Sequence, residues 1–213
     1  MTTAPRVVYQ QGDHVCTLFS SEEEQLVAAT GYIRQGLARG ERCLYVCGEQ
    51  TPEDFRRALN AAGIEAEYEE NRGALVLLTK ETGHLAGGTF SPSRMISMLG
   101  KAVEDALAEG FTGLAAAGDM TWLLDEAPGS DDVAEYEALL NDFYKNNRAL
   151  GLCQYNRRRL PDACLDHGIA THPTIRVSGS ILLVNPFYEL PEIAVTRRAN
   201  TDGIEARIDQ LRS

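Results

Sequence analysis

His14-Val-Cys-Thr-Leu-Phe19 runs into Ser20-Ser-Glu-Glu-Glu24 and, after an interval of helix length, is followed by Cys43-Leu-Tyr-Val-Cys47. An extended run that meets a serine cap and a cluster of acids describes a strand ending where a helix begins, because the helix N-terminus favours negative charge. Leu26, Ala29, Ile33 and Leu37 are spaced for one apolar helical face, which the pattern extends to about Arg39 and closes at Gly40. The second run is apolar at nearly every position, as a strand covered on both faces would be. The order is β, α, β, and two strands joined through a helix lie parallel.

The alternation continues outward from this unit. Thr51-Pro52-Glu53-Asp54 supplies a cap and a first-turn proline for a helix ending near Gly63. Ala74–Leu78 reads as a strand. After the glycine-rich His84–Gly88 connection, Ser91-Pro92 opens a helix with Met95, Met98, Leu99 and Val103 on one side, stopping at Gly110. Thr112–Gly118 suits a tightly covered central strand, Asp131–Asn146 a helix, and Ala149–Tyr155 a further strand. Together these predict an α/β fold, a mostly parallel three-layer sandwich. The chain then changes character. Leu160–Ile169 reads as a short helix, and Thr174–Val177 and Ile181–Val184, separated by Ser178-Gly179-Ser180, as a β-hairpin or a pair of edge strands. Pro186–Pro191 reads as an exit loop, and Thr201–Leu211 as a final helix with Ile204, Ile208 and Leu211 on one face. Docking of that helix on its own domain and contact with a partner are both open. The expected organisation is an N-terminal extension over 1–12, one domain over 13–190, and a tail with a helix over 191–213.

The chain has 213 residues, of which 44% are hydrophobic and 24% charged, the composition of a folded globular protein. Twenty Lys and Arg face 31 Asp and Glu, a net charge of -11 that opposes attraction to phosphate backbones, so no direct nucleic-acid partner is expected. The five cysteines are odd in number, and the N-terminus lacks the basic and apolar blocks of a signal peptide, which reads as a cytoplasmic protein with reduced thiols. Apolar stretches such as Leu75–Leu78 are far too short to span a bilayer, so no membrane contact is expected.

Ligands of open parallel sheets bind beyond the carboxyl ends of the strands. That rule gathers Phe19 to Glu22, Gly48-Glu49-Gln50, Lys80 and Glu81, Asp119 to Trp122, and Tyr155 to Arg159. Phe19, Glu49, Asp119, Trp122, Tyr155 and Arg157 are the candidate ligand-binding residues, and no catalytic or metal-ligating residue is assigned. Asp119 has three readings: a cap on the next turn, a ligand or partner contact, and a metal carboxylate. Trp122 either lines a pocket or closes the core. No Gly-x-x-x-x-Gly-Lys-Ser/Thr occurs, and three carboxylates in the first strand-to-helix turn would repel the phosphates a P-loop cradles. Cys43 and Cys47 point to one strand face as small core residues, and His172-Pro173 reads as orienting the turn into the last strands. No CxxC pair occurs, and a composite of Cys16, Cys153 and His14 is a minor alternative. No cofactor is required.

His14–Phe19, Gly36–Gly48 with Thr51–Leu59, Gly87-Gly-Thr-Phe90, Gly118-Asp-Met-Thr-Trp122, Glu135-Tyr-Glu137, Leu152-Cys-Gln-Tyr-Asn-Arg157, Thr171-His-Pro173 and Asn185-Pro-Phe-Tyr188 resemble the MEDS sensory domain family, over about residues 10 to 190. The family is named for methanogens, methylotrophs and the dichloromethane-responsive repressor. The resemblance implies a RecA/KaiC-like fold that lost its phosphate-binding loop. Glu49 matches the acidic position after the KaiC-like second strand, and Asp119 the strand-end magnesium aspartate. It also implies recognition of small organic or hydrocarbon-derived molecules. The expected function is therefore a non-catalytic cytoplasmic sensory or regulatory protein that signals through a partner protein or as a homo-oligomer. The alternatives are a ligand-free interaction module and a divergent nucleotide- or metal-binding enzyme.

Overall fold

The Ser21 hydroxyl accepts from the amide of Glu24 with its own backbone extended, and this cap separates β1 (His14–Phe19) from α1 (Glu22–Ala38). Thr51 forms a reciprocal capping box with Asp54 and sets α2 (Pro52–Ala61) after β2 (Arg42–Val46). The remaining elements are α3 (Ala66–Asn71), β3 (Leu75–Leu78), α4 (Pro92–Ala108), β4 (Leu114–Asp119), α5 (Val133–Asn146), β5 (Ala149–Asn156), α6 (Asp162–Thr171), β6 (Thr174–Val177), β7 (Leu183–Val184), α7 (Pro191–Ala194) and α8 (Ile204–Gln210). The structure, a computed structural model, describes residues 7–177, 181–196 and 198–212. The Ser178-Gly179-Ser180 turn lies outside the described residues.

Among the described residues seven strands form one sheet in the order β3-β2-β4-β5-β1-β6-β7, parallel except for β7, which runs antiparallel to β6 at the edge. The mostly parallel α/β sandwich with C-terminal edge strands is thus the observed fold. Its two faces carry separate cores. Val15, Cys43, Tyr45, Cys47 and Leu152 meet Tyr32 and Ile33 of α1 and Phe55 and Leu59 of α2. Cys16, Leu18, Ala116, Cys153 and Tyr155 face α4, α5, α6 and α8 on the other side.

Two elements depart from the sequence reading. α3 is a single polar turn-and-a-half that offers no apolar period, and α7 forms at Pro191, where a loop was expected. α1 is also rotated: Ala29 and Ile33 are buried as expected, but Tyr32 and Gln25 share that face while Leu26 and Leu37 are only half-buried. The rotation lets the Tyr32 hydroxyl reach the carbonyls of Ala116 and Leu150, at 2.9 and 3.0 Å. The final helix docks on its own domain, with Ile204, Ile208 and Leu211 buried and Arg207 2.7 Å from the buried Asp166.

Candidate functional site

The carboxyl ends of β1, β2, β4 and β5 surround an open cleft of about 630 Å³. Its lining includes Phe19, Glu49, Asp119, Asn156 and Arg158, together with Gln25 from α1. Gly48 permits this convergence, since a Cβ there would fall 2.7 Å from the Asp119 carboxylate. Asp119 is almost fully buried, and its Oδ1 accepts from the Thr121 amide at 2.9 Å. Burial pushes its pKa up, against the hydrogen bonds that hold the charged form. Behind the cleft, the Tyr45 hydroxyl donates to Gln154 at 2.9 Å and Gln154 Nε2 to the Gln25 carbonyl at 3.1 Å, so the floor is polar. At the rim, Arg159 pairs with Glu49 and ties the loop after β5 to the loop after β2.

The α1 N-terminus is where a phosphate would sit in an ATPase of this architecture. Here Glu24 folds back so that its Oε2 accepts from the Ser20 amide at 2.7 Å, while Ser21 caps the Glu24 amide. The helix end is thereby satisfied from within the chain by a carboxylate, and Glu22 and Glu49 add further negative charge along the cleft. These residues do not fit magnesium-bound nucleotide.

Of the candidate residues, Phe19, Glu49 and Asp119 come together on the cleft. Arg157 stands behind its edge, donating from Nε to Ser20 Oγ at 2.8 Å and from Nη1 to Glu205 of α8 at 3.2 Å. Trp122 is fully buried in a short 3-10 turn over Met120–Asp125, with ring centroids 5.1 Å from His84 and 4.7 Å from Phe90. Tyr155 points to the opposite face of the sheet from the Phe19 side chain. A cavity of about 20 Å³ between β2, β4 and α4 reaches His84 and Cys153, with room for about one water, and neither the Trp122 nor the Tyr155 ring lines it.

Tyr155 leads to a second site that the sequence reading missed. Its hydroxyl donates to Glu137 Oε1 at 2.7 Å, and Glu137 is buried on α5. The other oxygen, Oε2, lies 3.1 Å from His14 Nε2, 3.3 Å from His172 Nε2 and 3.4 Å from Cys153 Sγ. All four side chains are buried, and their ligand atoms lie within 4.8 Å of one another. This group is able to chelate a metal ion and corrects the expectation that no cofactor is required. The composite of His14, Cys153 and Cys16 held two of its members; Cys16 faces the same core beside Cys153, but Glu137 and His172 complete the group instead.

The strand parity and helix period explain the convergence. His14 of β1 pairs in register with Gly151 of β5, and Cys16 with Cys153, so His14 and Cys153 point together at α5. On α5, Glu137, Asn141 and Tyr144 fall on one face at helical spacing. Gly151 leaves the space that Tyr144 fills, since a Cβ there would fall 2.2 Å from the Tyr144 ring. Burial, then the neighbouring His172, pushes the pKa of His14 down. Burial opposes the Glu137 charge, but His172 and His14 outweigh it and hold the carboxyl below its usual range. Burial and Glu137 raise the Cys153 thiol well above its ordinary value. The signal available in the sequence was the carboxylate of Glu137 set among Val133, Tyr136, Leu140 and Tyr144 on an apolar helix face.

Among the described residues no helix is long and apolar enough to cross a membrane. No curated protein matches the sequence. Among solved structures, a KaiC-like protein from the hyperthermophilic archaeon Pyrococcus horikoshii OT3 is similar, with a TM-score of 0.57 and 15% identity over 78% of this chain and 71% of that one. That likeness shows the fold. The family model of the methanogen/methylotroph, DcmR sensory domain matches residues 13–173. The chain therefore belongs to the MEDS family, a sensory and regulatory domain, without a P-loop, on a KaiC-like α/β fold.

Proposed function

We propose that the strand-end cleft is the sensory site, binding a small polar organic molecule, and that the bound state is passed to a partner protein. The observation that carries this reading is the placement of Asp119, a nearly buried carboxylate raised by its surroundings, in a cleft of about 630 Å³ that also presents Asn156 and Arg158. A nearly buried carboxylate accepts from a ligand's donors while Asn156 and Arg158 supply donors of their own, which suits hydroxyl, carbonyl or amine groups better than phosphate. Phe19 offers the apolar surface beside it, and Glu49 with Arg159 forms a pair that an incoming ligand has to displace or accept. Trp122 supports the turn that carries Asp119. Arg157 links Ser20 at the cleft edge to Glu205 on α8, so a shift of the first loop reaches the C-terminal helix through one side chain.

Thermal unfolding in the presence of a panel of short-chain alcohols, carboxylates, amines and ketones tests the reading. At least one class is expected to raise Tm by several degrees, and Asp119→Asn to reduce the apparent affinity about tenfold, the effect of about 1.4 kcal/mol. A panel without any shift, alongside tight binding of magnesium-nucleotide, would overturn it.

A further inference from the structure

We propose that His14, Glu137, Cys153 and His172 bind a single zinc-class divalent transition-metal ion, in a closed site on the opposite side of the sheet from the cleft.

The hydrogen bonds around the cluster fix how its imidazoles face the centre. Asn141 Nδ2 donates to the Thr171 carbonyl at 2.8 Å and lies 3.4 Å from the Glu137 carbonyl, which leaves its Oδ1 facing His14 Nδ1 at 2.9 Å. That oxygen can only accept, so His14 carries its proton on Nδ1. His172 Nδ1 lies 2.7 Å from the Gly168 carbonyl, another obligate acceptor, and the nearby Thr171 hydroxyl gives its own proton to the His167 carbonyl at 2.8 Å. Both neutral imidazoles therefore turn the lone pair of Nε2 toward Glu137 Oε2. Oriented outer partners of this kind are what hold metal-ligating histidines in place.

A proton alone does not satisfy this arrangement. Protonating His14 gives Nε2 a hydrogen bond to Glu137, and the Cys153 thiol can donate to the same oxygen. His172 Nε2 is then left over, fully buried and without a hydrogen-bond partner although Glu137 Oε2 lies 3.3 Å away. Protonating both rings instead places two cations against one carboxylate in a dry core, which is costly. A divalent ion satisfies all four groups at once. Binding displaces the Cys153 proton to solvent, and the charges of the ion, the Glu137 carboxylate and the thiolate then cancel.

The geometry agrees with that count. For metal–ligand lengths of about 2.0 to 2.3 Å, the edges of a ligand tetrahedron are about 3.3 to 3.7 Å. Four of the six separations among Glu137 Oε2, the two Nε2 atoms and Cys153 Sγ, at 3.1, 3.3, 3.4 and 3.6 Å, are close to those edges, and the other two fall within 4.8 Å. Two nitrogens, one oxygen and one sulfur match a borderline ion, whereas magnesium and calcium take oxygen ligands. Four protein ligands leave no open position. The ion would act as a staple joining β1, β5, α5 and the corner between α6 and β6.

The test uses the full, untagged chain. Elemental analysis of the purified protein is expected to give one zinc-class ion per chain, falling below about a tenth in Cys153→Ala and His172→Ala. Metal-free protein, prepared by unfolding in chelator and refolding, is expected to take up one cobalt(II) per chain with a sulfur-to-cobalt charge-transfer band that Cys153→Ser abolishes. Should the variants fail to fold, X-ray absorption of the zinc-loaded wild-type chain decides, with one sulfur and three nitrogen or oxygen neighbours expected. A wild-type chain that takes up neither zinc nor cobalt at micromolar concentration, or a metal shell without sulfur, overturns the proposal. Neither result depends on whether the cleft holds an organic ligand.

Discussion

His84 sits in the connection between β3 and α4, stacked on Trp122, with Nδ1 buried and without a hydrogen-bond partner. Burial lowers its pKa to about 4. In the unfolded chain a histidine titrates near 6.5, so between about pH 6.5 and 4 the unfolded state binds a proton that the folded state refuses. Stability is therefore complete above about 6.5 and falls as the pH drops toward 4, by about 3 kcal/mol over the whole interval. Urea unfolding at pH 7 and pH 4.5 is expected to show a smaller loss in His84→Leu than in the wild type. Equal losses would mean that His84 takes up its proton inside the fold. Residues of this kind were hard to read from the chain. His14, Glu137, Cys153 and His172 are far apart in sequence, and each alone looks like a core or turn residue; only strand parity combined with the α5 period brings them to one point.

Elements with a strong period or a chemical boundary were readable. β1, β2 and β5 are apolar runs, and Ser21, Thr51 and Ser91 each cap the helix that follows them. α3 was not, because its six residues carry no apolar face, and the rotation of α1 was not, because the Tyr32 hydroxyl is held by carbonyls contributed from β4 and β5. The fate of α8 also depends on tertiary partners. Its face of Ile204, Ile208 and Leu211 is equally suited to a partner or to its own domain, and the buried Asp166 decides by accepting from Arg207 and from the Asn200 amide. Ile208→Ala is expected to cost about 2 to 4 kcal/mol. Hydrogen exchange over residues 204–210 is expected to accelerate in that variant more than exchange in β4. Uniform acceleration across the sheet would instead make α8 part of the cooperative core.

At the scale of the whole molecule, the parallel sheet places two chemically different sites on opposite faces. The cleft lies at the carboxyl ends of the strands, where the position of a phosphate is taken by Glu24, and the four-residue cluster lies between the sheet and α5. The first was predictable in place because the topology rule needs only strand order. Its polar character depended on which side chains the strand ends expose. Placement of the organic ligand in the strand-end cleft is open to a direct test. Amide chemical shifts of the full chain, recorded while the most stabilising compound of the panel is titrated, test it directly. Saturable shifts centred on Phe19, Ser20, Glu49, Thr121 and Arg158, with smaller ones reaching Glu205, are expected if the ligand sits there. Saturable shifts centred away from the strand ends, with those residues unmoved, would contradict it.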